Sequence, residues 1–465
     1  MARLPFAIQS YRHRSLPVSA QRLINWFAEM EPKDARSPIV LLPTPGLTLY
    51  VTLPAGPVRG VRVMGSYLYA VAGGNCYRVD VAGNIVLLGS VTPGGPVVMA
   101  DNGDQVCIVI PETREGFVAT PSSLTQITAS GFTATGATSV TVIDGYGVFT
   151  KPDSSEFFLS AQGDLLSYNG DEADAEGDPD NLVVARRVGR ELWLFGERTT
   201  EIWSNTGAAD FPFQRISGAF VERGCAARFS VAQRLGVPFW LGDDRVIYKG
   251  SGAAPERIST HAVEQEIGGY EVVSDARAWI YEQEGHVFYC ISFPSGGATF
   301  VFDMITGVWH ERDSEGYEHW RCATGAAFAG ATVAGDLRDG RLYIVDPTAY
   351  DEVGQEIIRV ATGSPLHGNG KRVRFKSLTF DLETGTGLTT GQGIDPKCWL
   401  QISDDGGRTF GNEIWRDLGA RGAHRTRVRF SQLGAARDRV FRFGMADPVR
   451  TAISAVDIEA EPQRS

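Results

Sequence analysis

Short apolar runs bounded by turn residues fill the chain from about residue 58 to about residue 365. Each run holds roughly 4–8 residues rich in β-branched and aromatic side chains, which is the pattern of a strand. Typical runs are GVRVMGSYLYAVAG, TVIDGYGVFTKP and GHVFYCISF. Glycine is plentiful, at 54 residues, and stretches of good helix formers are scarce. The sequence therefore predicts an all-β fold of short strands joined by tight turns.

A strand–Asp–turn–strand unit recurs in this region. CYRVDVAGNIVLL and TFVFDMITGVWHE each place an aspartate after the first strand and a glycine in the turn. Recurrence about every 40–50 residues is typical of propeller blades, in which radial repetition leaves only short strand edges. Roughly 300 residues hold about six or seven such blades. We predict a β-propeller-like domain over residues 58–365, with a run of β-sandwiches as the alternative.

The two flanking segments have different patterns. In residues 1–57, SAQRLINWFAEMEP is compatible with a short helix or an extended arm. It precedes IVLLPTPGLTLY, whose prolines favour extended backbone. We expect an N-terminal arm that packs on another domain or subunit. After a glycine-rich break, alternating runs such as CWLQIS and RTRVRFSQLG predict a C-terminal β-sandwich over residues 366–465, a common domain size.

The charge is acidic overall and unevenly distributed. The formal net charge of -11 argues against a protein that coats nucleic acid. From Pro365 onward there are 16 Lys and Arg against 12 Asp and Glu, which leaves 28 against 43 in the rest of the chain. An acidic body therefore carries a basic C-terminal end.

The six cysteines have no C-x-x-C spacing, which argues against a zinc site or a redox motif. They occur in apolar runs such as QVCIVI, so we expect buried free thiols and a reducing compartment during folding. The N-terminus lacks the apolar stretch of a signal peptide, and no run reaches membrane length. We expect synthesis and folding in a cytoplasm.

One stretch near the C-terminus, ISDDGGRTFGNEIW, resembles the Asp box of sialidases and other β-propeller glycosidases. The pattern is formed by Ser403, Asp405, Gly407, Thr409 and Phe410. In a structural turn, the aspartate accepts hydrogen bonds from backbone amides, the glycine takes a positive φ, and the aromatic ring anchors the hairpin in a core.

A glycosidase needs more than this turn. Its chemistry requires paired carboxylates, or a tyrosine–carboxylate nucleophile, facing a pocket, and sialidases also use arginines to hold the substrate carboxylate. The box occurs once in this chain, outside the propeller-like region. We interpret it as a structural turn and predict no catalytic residue.

Other candidate sites are weaker. The acidic run DEADAEGDPD places Val183 where a calcium loop starting at Glu172 needs its bidentate acid. We expect a solvated acidic loop, or one that faces a basic neighbour. His310 and His319 are predicted to lie on the surface. No nucleophile elbow, phosphate loop or dinucleotide fingerprint occurs, so we predict no catalytic, cofactor-binding or metal site.

Arginines alternate along RTRVRFS. Arg425, Arg427 and Arg429 have a period of two, which predicts one face of a strand. More arginines follow on the predicted next strand, at positions 437, 439 and 442. Such a row suits an acidic partner or phosphates, and the first three are our candidate interface. An ordinary solvated strand face is the alternative.

Several stretches, in order, resemble one known family. They are NWFAEMEP followed by LLPTPGL, then RELWLFGERTTEIWSNTGAADFPFQRISGAFVERGCAA, then FWLGDDRVIYKGSGAAPERIST, VFDMITGVW and ISDDGGRTFGNEI. Together they resemble the tail hub, or nozzle, proteins of short-tailed phages, also called packaged-DNA stabilisation proteins. The resemblance covers most of the chain.

The resemblance implies a structural virion protein and no enzyme. Family members form a homohexameric ring below the portal and its adaptor, carry fibres or spikes and a needle or plug, and close the channel that retains packaged DNA. Double-stranded DNA would pass without sequence-specific binding, because an acidic channel repels phosphates. Two alternatives remain: a sialidase-type propeller glycosidase, and a glycan-binding or scaffold propeller.

Overall fold

The computed structural model is almost entirely β and describes residues 2–32, 37–175, 177, 180–252, 254–368 and 370–463. In this part of the chain, seven four-stranded antiparallel sheets pack side by side as the blades of a propeller. The inner strand of the seventh blade contacts the inner strand of the first, which closes the ring. The prediction of a propeller with about six or seven blades is confirmed.

Blades 1 to 5 each take their four strands consecutively from the chain. From the inner strand outward, they are Val58–Met64, Tyr67–Ala72, Asn75–Val79 and Ile85–Ser90 in blade 1; Val98–Asp101, Val106–Ile110, Glu115–Ala119 and Leu124–Gln126 in blade 2; Ser139–Ile143, Tyr146–Thr150, Glu156–Ala161 and Asp164–Asp174 in blade 3; Leu182–Val188, Glu191–Gly196, Thr200–Asn205 and Phe213–Val221 in blade 4; Ala232–Arg234, Val237–Leu241, Ile247–Ser251 and Ala254–Arg257 in blade 5.

Blades 6 and 7 belong to larger sheets. Blade 6 contains Arg277–Gln283, His286–Phe293, Ala298–Asp303 and Trp309–Glu311; blade 7 contains Cys322–Phe328, Ala331–Asp336, Arg341–Asp346 and Gly46–Thr52. The short strands Asp351–Glu352 and Gln355–Glu356 extend blade 7. The helical segments are Ser130–Thr135, Arg228–Ser230 and His261–Gly268, the second being a 3-10 turn.

An N-terminal strand completes blade 7. Gly46–Thr52 pairs antiparallel with Arg341–Asp346, although it lies within the segment predicted as an arm. Its Leu47 is fully buried in the blade. The prolines of IVLLPTPGLTLY predict extended backbone here, but the partner strand lies far away in the sequence, so the predicted boundary at residue 57 separates this strand from the blade that it completes.

The C-terminal sandwich contains two sheets. One has the order Trp26–Met30, Ile39–Pro43, Ile453–Pro462, Val373–Leu382, Val428–Ser431, with Ala2–Arg3 and Ala435–Ala436 at its sides. The other continues blade 6 from Trp309–Glu311 through Ala20–Ile24, Arg359–Thr362, Asp438–Met445, Lys397–Ser403 and Ile414–Asp417, with Tyr11–Arg12 and Leu366–His367 beside them. The arm thus packs on the sandwich of its own chain and connects it to the propeller.

Aromatic side chains from both sheets fill the sandwich core. Phe375 and Phe380 are buried in the strand Val373–Leu382, and a register shift between Phe375 and Ser377 brings both to the core side. The ring of Phe380 lies 4.6 Å from that of Phe443 in the opposite sheet, measured between centroids. The predicted sandwich is therefore confirmed, with arm strands included in it.

Turn chemistry explains the repeated hairpins. Asp144 and Gly145 have φ angles of 50° and 86° between two strands of blade 3, as a two-residue type I′ turn requires. In blade 1, the Asp80 carboxylate accepts hydrogen bonds from the amides of Ala82 at 3.0 Å and Asn84 at 2.9 Å. The predicted strand–Asp–turn–strand unit is present there.

All six cysteines are buried free thiols, as predicted. Burial raises the pKa of Cys76 to about 12, so this thiol stays protonated and behaves as a small apolar side chain. Within the described ranges, no helix is long and apolar enough to cross a membrane.

Candidate interaction surfaces

The Asp-box turn forms a closed hydrogen-bond network around Asp405. Its carboxylate accepts the backbone N–H groups of Arg408 at 2.9 Å and Thr409 at 3.0 Å, and the Thr409 hydroxyl at 2.6 Å. The hydroxyl of Ser403 donates to the same carboxylate at 2.6 Å and accepts the N–H of Gly407 at 2.8 Å. These hydrogen bonds stabilise the ionised form and hold the pKa of Asp405 well below its usual range.

Phe410 differs from the expected core anchor. Its ring is only half-buried, and the guanidinium of Arg442 lies 3.5 Å from the ring centroid. Another hairpin contact comes from Arg439, which is buried and donates two hydrogen bonds to Asp404, at 2.7 and 2.8 Å. The hairpin is therefore attached through Arg439 and Arg442 of the neighbouring strand Asp438–Met445.

The arginine row is less regular than predicted. Only Arg429 lies in a strand, because Val428–Ser431 begins after Arg425 and Arg427. Arg429 donates to the Ser377 hydroxyl at 3.0 Å and to the Glu459 carboxylate at 3.3 Å, so it is engaged within its own sheet.

The three arginines nevertheless share one side of the sandwich, where they line a cavity of about 280 Å³. Arg425 and Arg427 are exposed, and neither side chain has a hydrogen bond or ion pair within the described part of the chain. These two are therefore the arginines of the row that can meet another molecule without breaking an existing contact.

The acidic run is only partly a loop. Its first residues finish the strand Asp164–Asp174, in which Glu172 accepts a hydrogen bond from Lys151 at 2.7 Å. That ion pair helps to hold the pKa of Glu172 below its usual range. Asp180 accepts the backbone N–H groups of Arg198 and Thr199 at 2.6 and 2.9 Å. The intervening residues 176, 178 and 179 lie outside the described residues.

His310 is buried, so its predicted surface position is wrong. It is 1% exposed, and its ring lies 5.4 Å from that of Phe288 and 6.2 Å from that of Phe27 in the arm. Burial, with the nearby charge of Arg312, lowers the pKa of His310 to about 3. His319 is half-buried, with its Nδ1 2.8 Å from the Trp320 carbonyl oxygen. The arm covers a strand whose polar sequence indicated exposure.

Blade 7 contains a buried ionic cluster that the sequence analysis did not identify. Arg321 donates to Asp336 at 2.8 Å, and both side chains are nearly inaccessible. The indole of Trp320 donates to Glu352 at 3.1 Å, and the guanidinium of Arg312 lies 3.6 Å from the Trp320 ring centroid. The dense alternation of charged and aromatic residues in HERDSEGYEHWRC was the only available signal.

The cluster has a structural role. Arg312 donates to the carbonyl of Pro45 at 2.8 Å, directly before the N-terminal strand of blade 7. It therefore fixes the entry of that strand into the propeller. Among the residues that the structure describes, no group of three or more His, Cys, Asp or Glu is placed to hold a metal ion.

The propeller and the sandwich together match one family of phage proteins. Residues 5–350 match the β-propeller of bacteriophage P22 Gp10, and residues 359–461 match its β-sandwich. The chain belongs to the P22 Gp10 family. This family comprises tail hub, or nozzle, proteins of short-tailed phages, and the predicted resemblance is confirmed.

Other comparisons give only distant similarity. No curated protein sequence matches the chain. A streptogramin B lyase structure is similar at a TM-score of 0.45 and 10% identity, over 64% of this chain and 96% of that one. BamB from Moraxella catarrhalis gives 0.40 and 9%, over 70% and 97%. The N-terminal domain of Nup159 gives 0.41 and 8%, over 68% and 97%. At these scores the similarity indicates nothing about function.

Proposed function

We propose that this chain is the tail hub, or nozzle, of a short-tailed phage, present as a homohexameric ring in the virion tail. The ring extends the channel of the portal and its adaptor, retains the packaged DNA until ejection, and anchors tail fibres or spikes and a needle or plug. Membership of the P22 Gp10 family supports a structural virion role. The surfaces that would join neighbouring subunits are inferred from the outer strand of blade 1 and from the distribution of charge along the chain.

The outer strand of blade 1 is the main evidence for a contact with another protein. Ile85–Ser90 has the sequence IVLLGS, contains no charge, and has no strand partner on its outer side within the described chain. Leu87 is 58% exposed, and Val81 in the preceding turn is 59% exposed. Proteins normally protect such an edge with charges, prolines or a covering element. We infer that a neighbouring subunit or tail protein covers this edge in the virion.

The charge distribution supports contacts between unlike surfaces. The C-terminal end is basic, with exposed Arg425 and Arg427, and the rest of the chain is strongly acidic. Arginine pairs with carboxylates through two parallel hydrogen bonds, so this face suits an acidic surface of the next subunit or of a tail protein. An acidic channel wall would repel DNA phosphates and let the duplex slide.

The decisive experiment combines structure determination with an edge substitution. Cryo-electron microscopy of purified virion tails is expected to show six copies of the chain around the channel, with blade 1 at a protein contact. Leu87→Lys should reduce incorporation into tails, because it places a charge in an apolar contact. Ile305→Lys is the matched control, since Ile305 is 63% exposed on a turn of blade 6.

Three outcomes would contradict the proposal: a monomer that never enters virions, Leu87→Lys particles with normal amounts of the chain, or hydrolysis of a sialoside by the purified protein. The last result would favour a propeller glycosidase instead. Folding of each variant is verified by its thermal melting curve, so that a loss of assembly is not confused with a loss of structure.

A further inference from the structure

A small cavity of about 130 Å³ lies where the inner strands of blades 1, 2, 4, 6 and 7 approach one another. Its lining contains four arginines, at positions 59, 62, 186 and 277. Among the described residues that line it there is no aspartate or glutamate. Four arginines therefore contribute to a cavity wall that contains no acidic residue.

Arg59 is fixed in the wall of this cavity. It is 4% exposed and donates to the carbonyl oxygens of Gly95 at 2.6 Å, and of Gly73 and Thr92 at 2.8 Å. Its Nη2 is buried and has no hydrogen-bond partner. Hydrogen bonds thus fix the guanidinium group through Nε and Nη1, while Nη2 remains free to donate. A buried charged group with an unpaired donor lowers the stability of the fold.

Arg186 and Arg277 also lack partners. Within the described chain the side chain of Arg186 has no hydrogen bond or ion pair, and burial together with the charge of Arg62 lowers its pKa to about 10. The Nε of Arg277 is buried without a partner. Arg62 differs, because it pairs with Asp101 at 2.6 Å.

Two carboxylates beyond the cavity wall attract this cluster. The negative charge of Glu112 attracts the guanidinium groups of Arg59 and Arg277, and that of Asp275 attracts Arg277. None of these three pairs of side chains forms an ion pair. The Glu112 carboxylate instead accepts the N–H of Gly95 at 2.8 Å. The positive charge of the cavity is thus only partly offset by the chain itself.

We propose that this cavity binds a small tetrahedral oxyanion of the phosphate class. Guanidinium groups present planar pairs of donors that match such oxygens, and charge-assisted hydrogen bonds of this kind are about twice as strong as neutral ones. A water molecule takes about 30 Å³ of the liquid, so a cavity of about 130 Å³ has room for a larger guest. The ion would connect arginines from blades 1, 4 and 6 near the propeller axis and stabilise the closed propeller.

The test measures the melting temperature of the full-length protein with increasing inorganic phosphate, against sodium chloride at matched ionic strength. A ligand that binds only the folded state raises the melting temperature as its concentration exceeds the dissociation constant. Wild type is expected to rise with phosphate and to show a binding isotherm by calorimetry. No difference between phosphate and chloride would overturn the proposal.

Arg186→Gln is the test variant, because removal of this guanidinium group breaks no hydrogen bond or ion pair within the described chain. It should melt at or above the wild-type temperature without phosphate and lose most of the phosphate-dependent increase. Arg190→Gln is the control, with the same charge change at an exposed position next to blade 4. An equal phosphate effect in Arg186→Gln and wild type would place any bound ion elsewhere. If Arg186→Gln does not fold, Arg277→Gln gives the same comparison.

Discussion

Arg22 and Glu311 form a two-point ion pair between the N-terminal arm and blade 6, although 289 residues separate them in the sequence. The Nε of Arg22 lies 3.1 Å from one carboxylate oxygen, and a terminal nitrogen contacts the other. Their strands also run side by side, with Ile24 opposite Glu311. The sheet of blade 6 therefore continues through the arm into the sandwich.

We expect Arg22→Ala to lower the free energy of unfolding by about 2 kcal/mol, because it leaves the buried Glu311 carboxylate without its partner. Chemical denaturation followed by tryptophan fluorescence measures this loss. Arg14→Ala is the control, since Arg14 is exposed in the same arm. If Arg22→Ala in a Glu311→Gln background costs as much as in wild type, the two residues are not coupled, and the ion pair contributes nothing.

Leu47→Ala tests whether the N-terminal strand belongs to the propeller. Leu47 is fully buried in blade 7, and truncation of a buried leucine costs about 2–5 kcal/mol through lost burial and the remaining cavity. Leu49 lies on the same strand and is 47% exposed, so Leu49→Ala should change stability by less than about 0.5 kcal/mol. Equal unfolding midpoints for the two variants would contradict the closure of blade 7 by this strand.

Local sequence patterns predicted where strands occur better than they predicted which strands pair with one another. The prolines of IVLLPTPGLTLY favour an extended segment, whereas SAQRLINWFAEMEP is compatible with a helix as well as with an extended arm. Hydrogen bonding with distant strands decides that Gly46–Thr52 completes blade 7 and that Ala20–Ile24 is a strand that joins blade 6 to the sandwich. Pairing between segments so far apart leaves no periodic signal in either of them. The propeller, the sandwich and the buried thiols depend on local composition, and these predictions succeeded.

In the candidate sites, too, contacts within a few residues were predictable from the sequence, and contacts with distant strands were not. The Asp-box turn follows from side-chain chemistry within a few residues, and the structure has its hydrogen bonds. The environments of Phe410 and His310 depend on other strands: Arg442 covers the first, and the arm buries the second. Charged neighbours made His310 resemble a surface residue, because a single sequence does not reveal what covers a strand.

Asp405→Asn should make the stability of the sandwich less sensitive to low pH. The folded-state pKa of Asp405 lies below that of an unfolded aspartate, about 3.9, so its ionised form contributes stability above that value. This contribution is lost as the pH falls from about 4 through the lower folded-state pKa. The wild-type melting temperature should therefore drop more steeply than that of Asp405→Asn below pH 4, and the variant should be less stable at pH 7. Asp417→Asn, exposed in the same domain, should follow wild type.

His310→Phe should remove a second, separate acid sensitivity. An unfolded histidine titrates near pH 6.5, whereas the folded-state pKa of His310 is about 3. The unfolded chain therefore binds a proton that the folded chain does not, and stability falls as the pH decreases from about 6.5 toward 3. We expect the difference in melting temperature between pH 7.5 and pH 5 to shrink in His310→Phe. The exposed His367→Phe is the control, and an unchanged difference in His310→Phe would show that His310 is accessible to protons in the folded state.

Arg427→Glu tests whether the basic side of the sandwich meets protein or DNA. The side chain is exposed and has no polar contact within the described chain, so the variant should fold and melt like wild type. Arg429 is unsuitable for this test, because its substitution would also break the contacts with Ser377 and Glu459. If Arg427 faces an acidic protein surface, charge reversal replaces attraction by repulsion and should reduce incorporation of the chain into tails.

The matched control for this reversal is Arg437→Glu, at an exposed position elsewhere on the sandwich. Incorporation is measured as the amount of the chain in purified particles, and DNA retention as the fraction of particles that keep their genome. Reduced incorporation of Arg427→Glu alone supports a protein contact. Normal incorporation with ejection that has become less dependent on salt places Arg427 at the channel, because each lost phosphate contact weakens the salt dependence of DNA binding. Normal behaviour in both measurements would make this side an ordinary solvated surface.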